Sequence, residues 1–196
     1  MLKHKKVLLG ITGSIAAYKT PELVRLFKKS GALVKVIQTK ESLSFVSKLT
    51  LSTLSKNPVL TYLKDSKHKQ WNNHVELALW ADIFIIAPAT AKTISKMANG
   101  ECDNLLLATY LSSKCPVFFA PAMDLDMFKH PSTSSNISLG NDLIGLHLSN
   151  INFFSLQLQY YDIAGASWTT LKTIPTYSGM RGAFLKRGKS IIPNSG

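Results

Sequence analysis

The hydrophobic pattern of the first forty residues predicts strand, helix, strand. Residues 6–10 (KVLLG) form an apolar run of strand length. A tight turn of small residues follows at 11–14. Apolar side chains then recur at 15, 16, 23, 24, 26 and 27, so the spacing predicts a helix over 15–30. Pro21 falls near its start, where a missing N–H costs least, and Gly31 is a good stop. Residues 33–38 alternate again as a second strand. A strand–helix–strand unit closes by a right-handed crossover, which implies a parallel sheet.

The alternation continues. A helix is expected over 43–54, and a lysine-rich loop over 56–72 with a short strand at 59–62. Residues 75–80 are amphipathic, and 82–87 is a buried strand. Helices at 91–98 and 104–111 and a strand at 116–120 complete the pattern. The expectation is one α/β domain over 1–145, a doubly wound, Rossmann-like parallel sheet. Periodicity fades near Gly145, so 146–196 reads as an irregular tail in which no element is predicted.

Composition narrows the class. A chain of 196 residues with 45% hydrophobic content suits a single core, and no apolar run reaches membrane-spanning length. The start, MLKHKK followed by an apolar triplet, mimics a signal peptide, but the apolar stretch breaks at Gly10, Thr12 and Gly13 without a cleavage site. A cytoplasmic protein is expected. Cys102 and Cys115 allow no disulfide framework and are expected to be reduced core residues. Net charge is +12, but residues 1–70 carry 14 Lys/Arg against 3 Asp/Glu, while 71–150 carry 4 against 7. Without interleaved aromatics or a nucleic-acid motif, this reads as solvated surface rather than a nucleic-acid face. A small phosphorylated ligand explains local positive charge more economically.

Candidate chemistry gathers after the strands, at the edge where open α/β sheets bind ligands. The turn Gly10-Ile11-Thr12-Gly13-Ser14-Ile15 is either a tight connection or a cradle whose N–H groups meet a phosphate. It lacks the full dinucleotide and Walker patterns. Thr39 and Ser42 read as helix caps or phosphate ligands, and Phe45 as core or as a neighbour of a planar ring. Pro88-Ala89-Thr90-Ala91 leaves room for a flat ligand, and Pro121-Ala122-Met123-Asp124 repeats the Pro-Ala pattern after the next strand. His74, beside Glu76 and ahead of the central strand, is structural or an acid–base group. His4, His68, His130 and His147 have no comparable setting, and no metal-ligand spacing or Ser-His-Asp set is evident.

Four segments in order, GITGSIAAYKTPELVRLF, NHVELALWAD, APATAKTISKMANG and FFAPAMDLDMF, resemble the flavin-dependent cysteine decarboxylases over roughly residues 5–144. The likeness is strongest to their phosphopantothenoylcysteine decarboxylase branch, the amino-terminal half of bifunctional coenzyme A biosynthesis proteins. The resemblance implies an FMN-binding Rossmann-like fold built from trimers, often as dodecamers, with flavin at subunit interfaces. It places Gly13, Ser14 and Ile15 against the flavin, Thr39, Ser42 and Phe45 near its phosphate and ring, and Pro88, Ala89, Thr90 and Ala91 around the rest. His74 matches the active-site histidine. Ala122, Met123, Asp124 and Met127 match the substrate loop, where Asp124 departs from the usual asparagine.

The implied reaction is decarboxylation of 4′-phosphopantothenoylcysteine to 4′-phosphopantetheine, with a separate phosphopantothenate–cysteine ligase upstream. The thiol is oxidised to a thioaldehyde, CO2 leaves, and an enethiolate is then reduced with the help of a cysteine. This chain has no cysteine after Cys115, and Ser178-Gly179-Met180-Arg181-Gly182 only echoes the family's closing Gly-x-Gly-Arg-Met. The tail reads as foreign sequence. The oxidative half is expected to survive and the reductive half to be impaired. The alternatives are a catalytically impaired flavoprotein or regulatory subunit, and a flavin prenyl-transferring relative.

Overall fold

The computed structural model describes residues 2–65, 70–139, 144–147, 151–152, 155–162 and 167–174. His68, the motif echo at 178–182 and the rest of 175–196 lie outside the described residues. The chain opens with β1 (Lys6–Ile11), α1 (Thr20–Lys29) and β2 (Leu33–Gln38), the expected strand–helix–strand unit. Next come α2 (Lys48–Ser55), β3 (Val59–Leu60) and a ribbon of β4 (Lys64–Asp65) with β5 (Gln70–Trp71). Then follow α3 (His74–Trp80), β6 (Ile83–Ala89), α4 (Ala91–Ala98), α5 (Leu105–Leu111) and β7 (Val117–Pro121). After α6 (Leu125–Lys129) and α7 (Pro131–Leu139) run β8 (Ile144–His147), β9 (Ile151–Asn152), β10 (Ser155–Asp162) and β11 (Ser167–Ile174).

The main sheet orders these strands β11-β10-β8-β7-β6-β1-β2-β3. From β3 to β8 every pairing is parallel, the α/β arrangement the sequence predicts. Among the described residues of this sheet, the antiparallel pairings are those that β10 makes with β8, β9 and β11. Successive strand residues feed opposite cores, as a pleat requires. Val7, Leu9, Ile11, Val36 and Ile85 pack under Leu23, Val24 and Phe27 of α1 and Leu51 of α2. Leu8, Ile37, Phe84, Ile86 and Phe119 pack under Leu77 of α3, Ile94 of α4 and Leu105–Leu107 of α5. Gly10 permits this second contact, because a Cβ there would lie 2.9 Å from Leu106 Cδ1 and 3.2 Å from Phe84 Cε2.

Local chemistry shifts several expected boundaries. The helix expected over 15–30 divides into a 3-10 turn at Ile15–Lys19 and α1 from Thr20. Pro21 has no N–H for the Ala17 carbonyl, which instead accepts the Thr20 hydroxyl at 2.7 Å. The helix expected over 43–54 becomes a 3-10 turn at Lys40–Ser44 and α2 behind the Ser47 cap. There the Gln38 amide takes the Val46 carbonyl at 2.7 Å, while the Ser47 hydroxyl takes the Thr50 N–H that a continuous helix would pair with that carbonyl. One strand was not predicted. Leu156, Leu158 and Tyr160 alternate with Gln157 and Gln159, a strand pattern hidden by its polar and aromatic content, and β10 forms there.

The expectation of two core cysteines fails in part. Cys102 is exposed beyond α4, and Cys115 is half-buried at the start of β7's approach. Burial pushes the Cys115 thiol above its ordinary value, with partial relief from the Ser113 hydroxyl at 3.2 Å. It therefore stays protonated near neutral pH and is a poor nucleophile. No helix among the described residues is long and apolar enough to cross a membrane.

Candidate functional site

The strand order reverses direction at β1. From it the chain winds to β2 and β3 on one side and then crosses to β6 and β7 on the other. Such a switch point leaves a crevice at the carboxyl ends of the two diverging strands. Here that edge is tied by one residue. The Thr12 hydroxyl donates to the Pro88 carbonyl at 2.6 Å and accepts from the Thr90 N–H at 3.1 Å. The Thr12 N–H also reaches the Pro88 carbonyl, at 3.3 Å.

Each candidate residue has a place along this edge. Gly13 presses the turn after β1 onto the turn after β2, since a Cβ on Gly13 would stand 2.5 Å from Glu41 Cβ and 3.2 Å from its backbone carbon. Ser14 caps the following 3-10 turn through the Ala16 N–H, and Ile15 projects outward, 75% exposed. Thr39 continues β2 by donating its N–H to Ile11, and its buried Oγ1 has no protein partner. Ser42 is fully buried and its hydroxyl donates to the Thr39 carbonyl at 2.8 Å, so it orients Thr39 rather than facing a ligand. Phe45 is 41% exposed rather than buried in the core.

The second wall belongs to β6 and β7. Pro88 and Ala89 end β6, Thr90 caps α4 through the Thr93 N–H, and Ala91 is the first residue of α4. The Ala122 N–H donates to the Ala89 carbonyl at 2.9 Å, which joins the two Pro-Ala loops. Met123 packs against the α3–α5 side of the core. Asp124 caps α6, its Oδ1 accepting from the Met127 N–H at 2.8 Å, and Met127 is half-exposed.

His74 is the first residue of α3, set there by Asn73, whose Oδ1 accepts from the Val75 and Glu76 N–H groups. Asn72 fixes the approach, donating to the Leu63 and Tyr62 carbonyls just past β3. That places the amino end of α3 toward the carboxyl edge, since Asp82, after its far end, binds the Lys6 N–H at the start of β1. His74 Nδ1 is buried without a hydrogen-bond partner among the described residues. No hydrogen bond among the described residues joins His74 to the other candidate loops. Thr12, which ties them, escaped the sequence reading; its only signal was a hydroxyl directly after a buried strand.

A family model described as Flavoprotein matches residues 1–174, running through β10 and β11. This chain belongs to the flavoprotein family. It is 55% identical over 103 residues to a cysteine/cysteine sulfinic acid decarboxylase from an unknown prokaryotic organism, covering 50% of this chain and 29% of that one. It is 42% identical over 139 residues to the coenzyme A biosynthesis bifunctional protein CoaBC of Bacillus subtilis (strain 168), covering 71% and 34%. A probable phosphopantothenoylcysteine decarboxylase of Streptococcus mutans is 44% identical over 137 residues, covering 69% and 76%. The chain thus spans about a third of the length of the first two relatives.

Among solved structures, the FMN-dependent cysteine decarboxylase SpaF superposes with TM-score 0.66 at 25% identity, covering 74% of this chain and 86% of that one. A cysteine-to-serine variant of PPC decarboxylase, complexed with pantothenoylaminoethenethiol, superposes with TM-score 0.64 at 29% identity, covering 89% and 93%. Structural neighbours of this flavoprotein are thus described as FMN-dependent.

The Thr12 tie has a measurable weight. Thr12→Val removes a hydroxyl that serves two backbone groups and leaves the Thr90 N–H unpaired. Urea denaturation should show a loss of about 1–3 kcal/mol, with Thr12→Ser close to the parent.

Proposed function

We propose that this chain binds FMN along the carboxyl edge of β1, β2 and β6 and catalyses oxidative decarboxylation of a cysteine-derived thiol acid, with 4′-phosphopantothenoylcysteine as its substrate. The observation that supports this most is His74: a titratable nitrogen, Nδ1, buried without a protein partner at the ligand-binding edge. The edge also fits the cofactor. Thr39 Oγ1 is a second buried polar atom without a partner among the described residues, Gly13 brings the turn after β1 against the turn after β2, and Ile15 and Phe45 offer apolar surface to a ring.

In this reading Ser14 and Thr39 hold the phosphate end, Ser42 orients Thr39, and Pro88, Ala89, Thr90 and Ala91 make room for the ring. FMN bound there supplies the acceptor for a hydride equivalent from the substrate. His74 takes the thiol proton at Nδ1. Ala122, Met123, Asp124 and Met127 receive the substrate from the second wall. Loss of two hydrogens gives a thioaldehyde, and loss of CO2 leaves an enethiol. The chain has no cysteine beyond Cys115, so we place the end of its reaction at that enethiol. Self-association as a trimer or dodecamer belongs to the same proposal, as does supply of substrate by a separate ligase, which the bifunctional relative supports.

Mass spectrometry of the FMN-loaded protein with phosphopantothenoylcysteine tests the reading. A product lighter by CO2 and two hydrogens is expected; one lighter by CO2 alone would refute the truncated reaction. His74→Asn should keep its FMN and lose CO2 release by roughly 100-fold or more. Unchanged release would remove His74 from the reaction.

Asp124 gives a second outcome. Its carboxylate opposes that of the substrate, and like charges at a shared site repel. Asparagine caps a helix as well as aspartate does, so Asp124→Asn should preserve α6. With dioxygen present to reoxidise the flavin, steady-state kinetics should show KM for phosphopantothenoylcysteine falling several-fold, by about 1 kcal/mol of removed repulsion. A raised KM would mean that Asp124 serves the substrate directly.

A further inference from the structure

Two buried polar atoms without a protein partner lie outside the proposed reaction: Gln38 Oε1 and Thr61 Oγ1. They belong together. β2 and β3 pair in parallel with Val36 opposite Val59 and Ile37 opposite Leu60. One step further along this register stand Gln38 and Thr61. Val36 and Val59 share one core and Ile37 and Leu60 the other, so alternation puts Gln38 and Thr61 on the α1–α2 face. Both are more than nine-tenths buried, at 0% and 6% exposure.

The orientation of the Gln38 amide is settled by its other end. Nε2 donates to the Val46 and Ser42 carbonyls at 2.7 and 3.4 Å. Reversing the amide would set Oε1 against two carbonyl oxygens. Oε1 must therefore accept, Thr61 Oγ1 offers a hydroxyl, and yet the two make no direct bond. Buried polar groups left in this way cost about 1–3 kcal/mol each unless a partner reaches them.

We propose that one buried water bridges Gln38 Oε1 and Thr61 Oγ1, donating to the first and pairing with the second. Such waters satisfy groups the fold cannot pair directly. The bridge has a consequence beyond stability. It holds the amide whose other end holds residues 42–46, the turn that carries Ser42 and Phe45. Thr61, at the rim of the sheet, is thus a positioning residue for that turn.

The sign of one substitution decides. If the hydroxyl has no partner, Thr61→Val removes a buried liability and leaves the protein as stable or more stable. If it holds a water, Thr61→Val raises the unfolding equilibrium constant about tenfold or more, and Thr61→Ser restores it. Hydrogen exchange separates positioning from general loss. The Phe45 and Val46 amides, which bond the Ser42 carbonyl, should exchange faster in Thr61→Val while that of Ile85 in β6 is unchanged. Equal acceleration at all three overturns the positioning role. Should Thr61→Val fail to fold, a high-resolution crystal structure of the parent chain decides. A solvent peak at about 2.7–3.2 Å from both atoms supports the bridge, and a direct contact or an empty gap overturns it.

Discussion

The edge of this protein depends on one hydroxyl. A doubly wound sheet must part its connections at the strand where the winding reverses, and the parted backbone ends need partners. Thr12 supplies them, donating to Pro88 and accepting from Thr90 across the β1–β6 boundary. With that tie in place, Gly13 can lie flat against Glu41, and the β7 loop can hang from Ala89 through Ala122. Three loops from distant parts of the chain become one rim.

What stands on the rim is arranged by short-range capping. Ser14, Thr90, Asn73 and Asp124 each give a side-chain oxygen to the first N–H groups of a helix or 3-10 turn. Caps of this kind are worth about 0.5–2 kcal/mol each and fix where the chain turns. They also leave selected atoms without protein partners. Thr39 Oγ1 and His74 Nδ1 find no donor or acceptor among the described residues. Buried polar atoms left open in this way are the places where a ligand or a water has most to offer.

Much of this was legible in the residues. Apolar runs at β1, β6 and β7 declared themselves because strands buried on both faces need continuous apolar stretches, and β2 by its alternation. The loops after them, and His74, were marked by residue type and position. Other features depend on contacts between segments that no local pattern reports. Thr12 matters through a residue 76 positions away, and Gln38 interrupts a predicted helix by taking the Val46 carbonyl. Cys102 looked like core because it adjoins a helix, yet it falls in an exposed turn. Strand β10 was missed because glutamines and tyrosines weaken the apolar contrast on which alternation is read.

The central claim is that the rim where Gly13 meets Glu41 holds FMN, and a direct binding titration tests it. Flavin fluorescence should quench saturably as the parent apoprotein is added. Gly13→Ala, whose new Cβ would push the two turns apart, should weaken the binding at least about tenfold without changing the far-ultraviolet circular dichroism. No saturable quenching by the parent, or equal binding by the variant, would contradict the account.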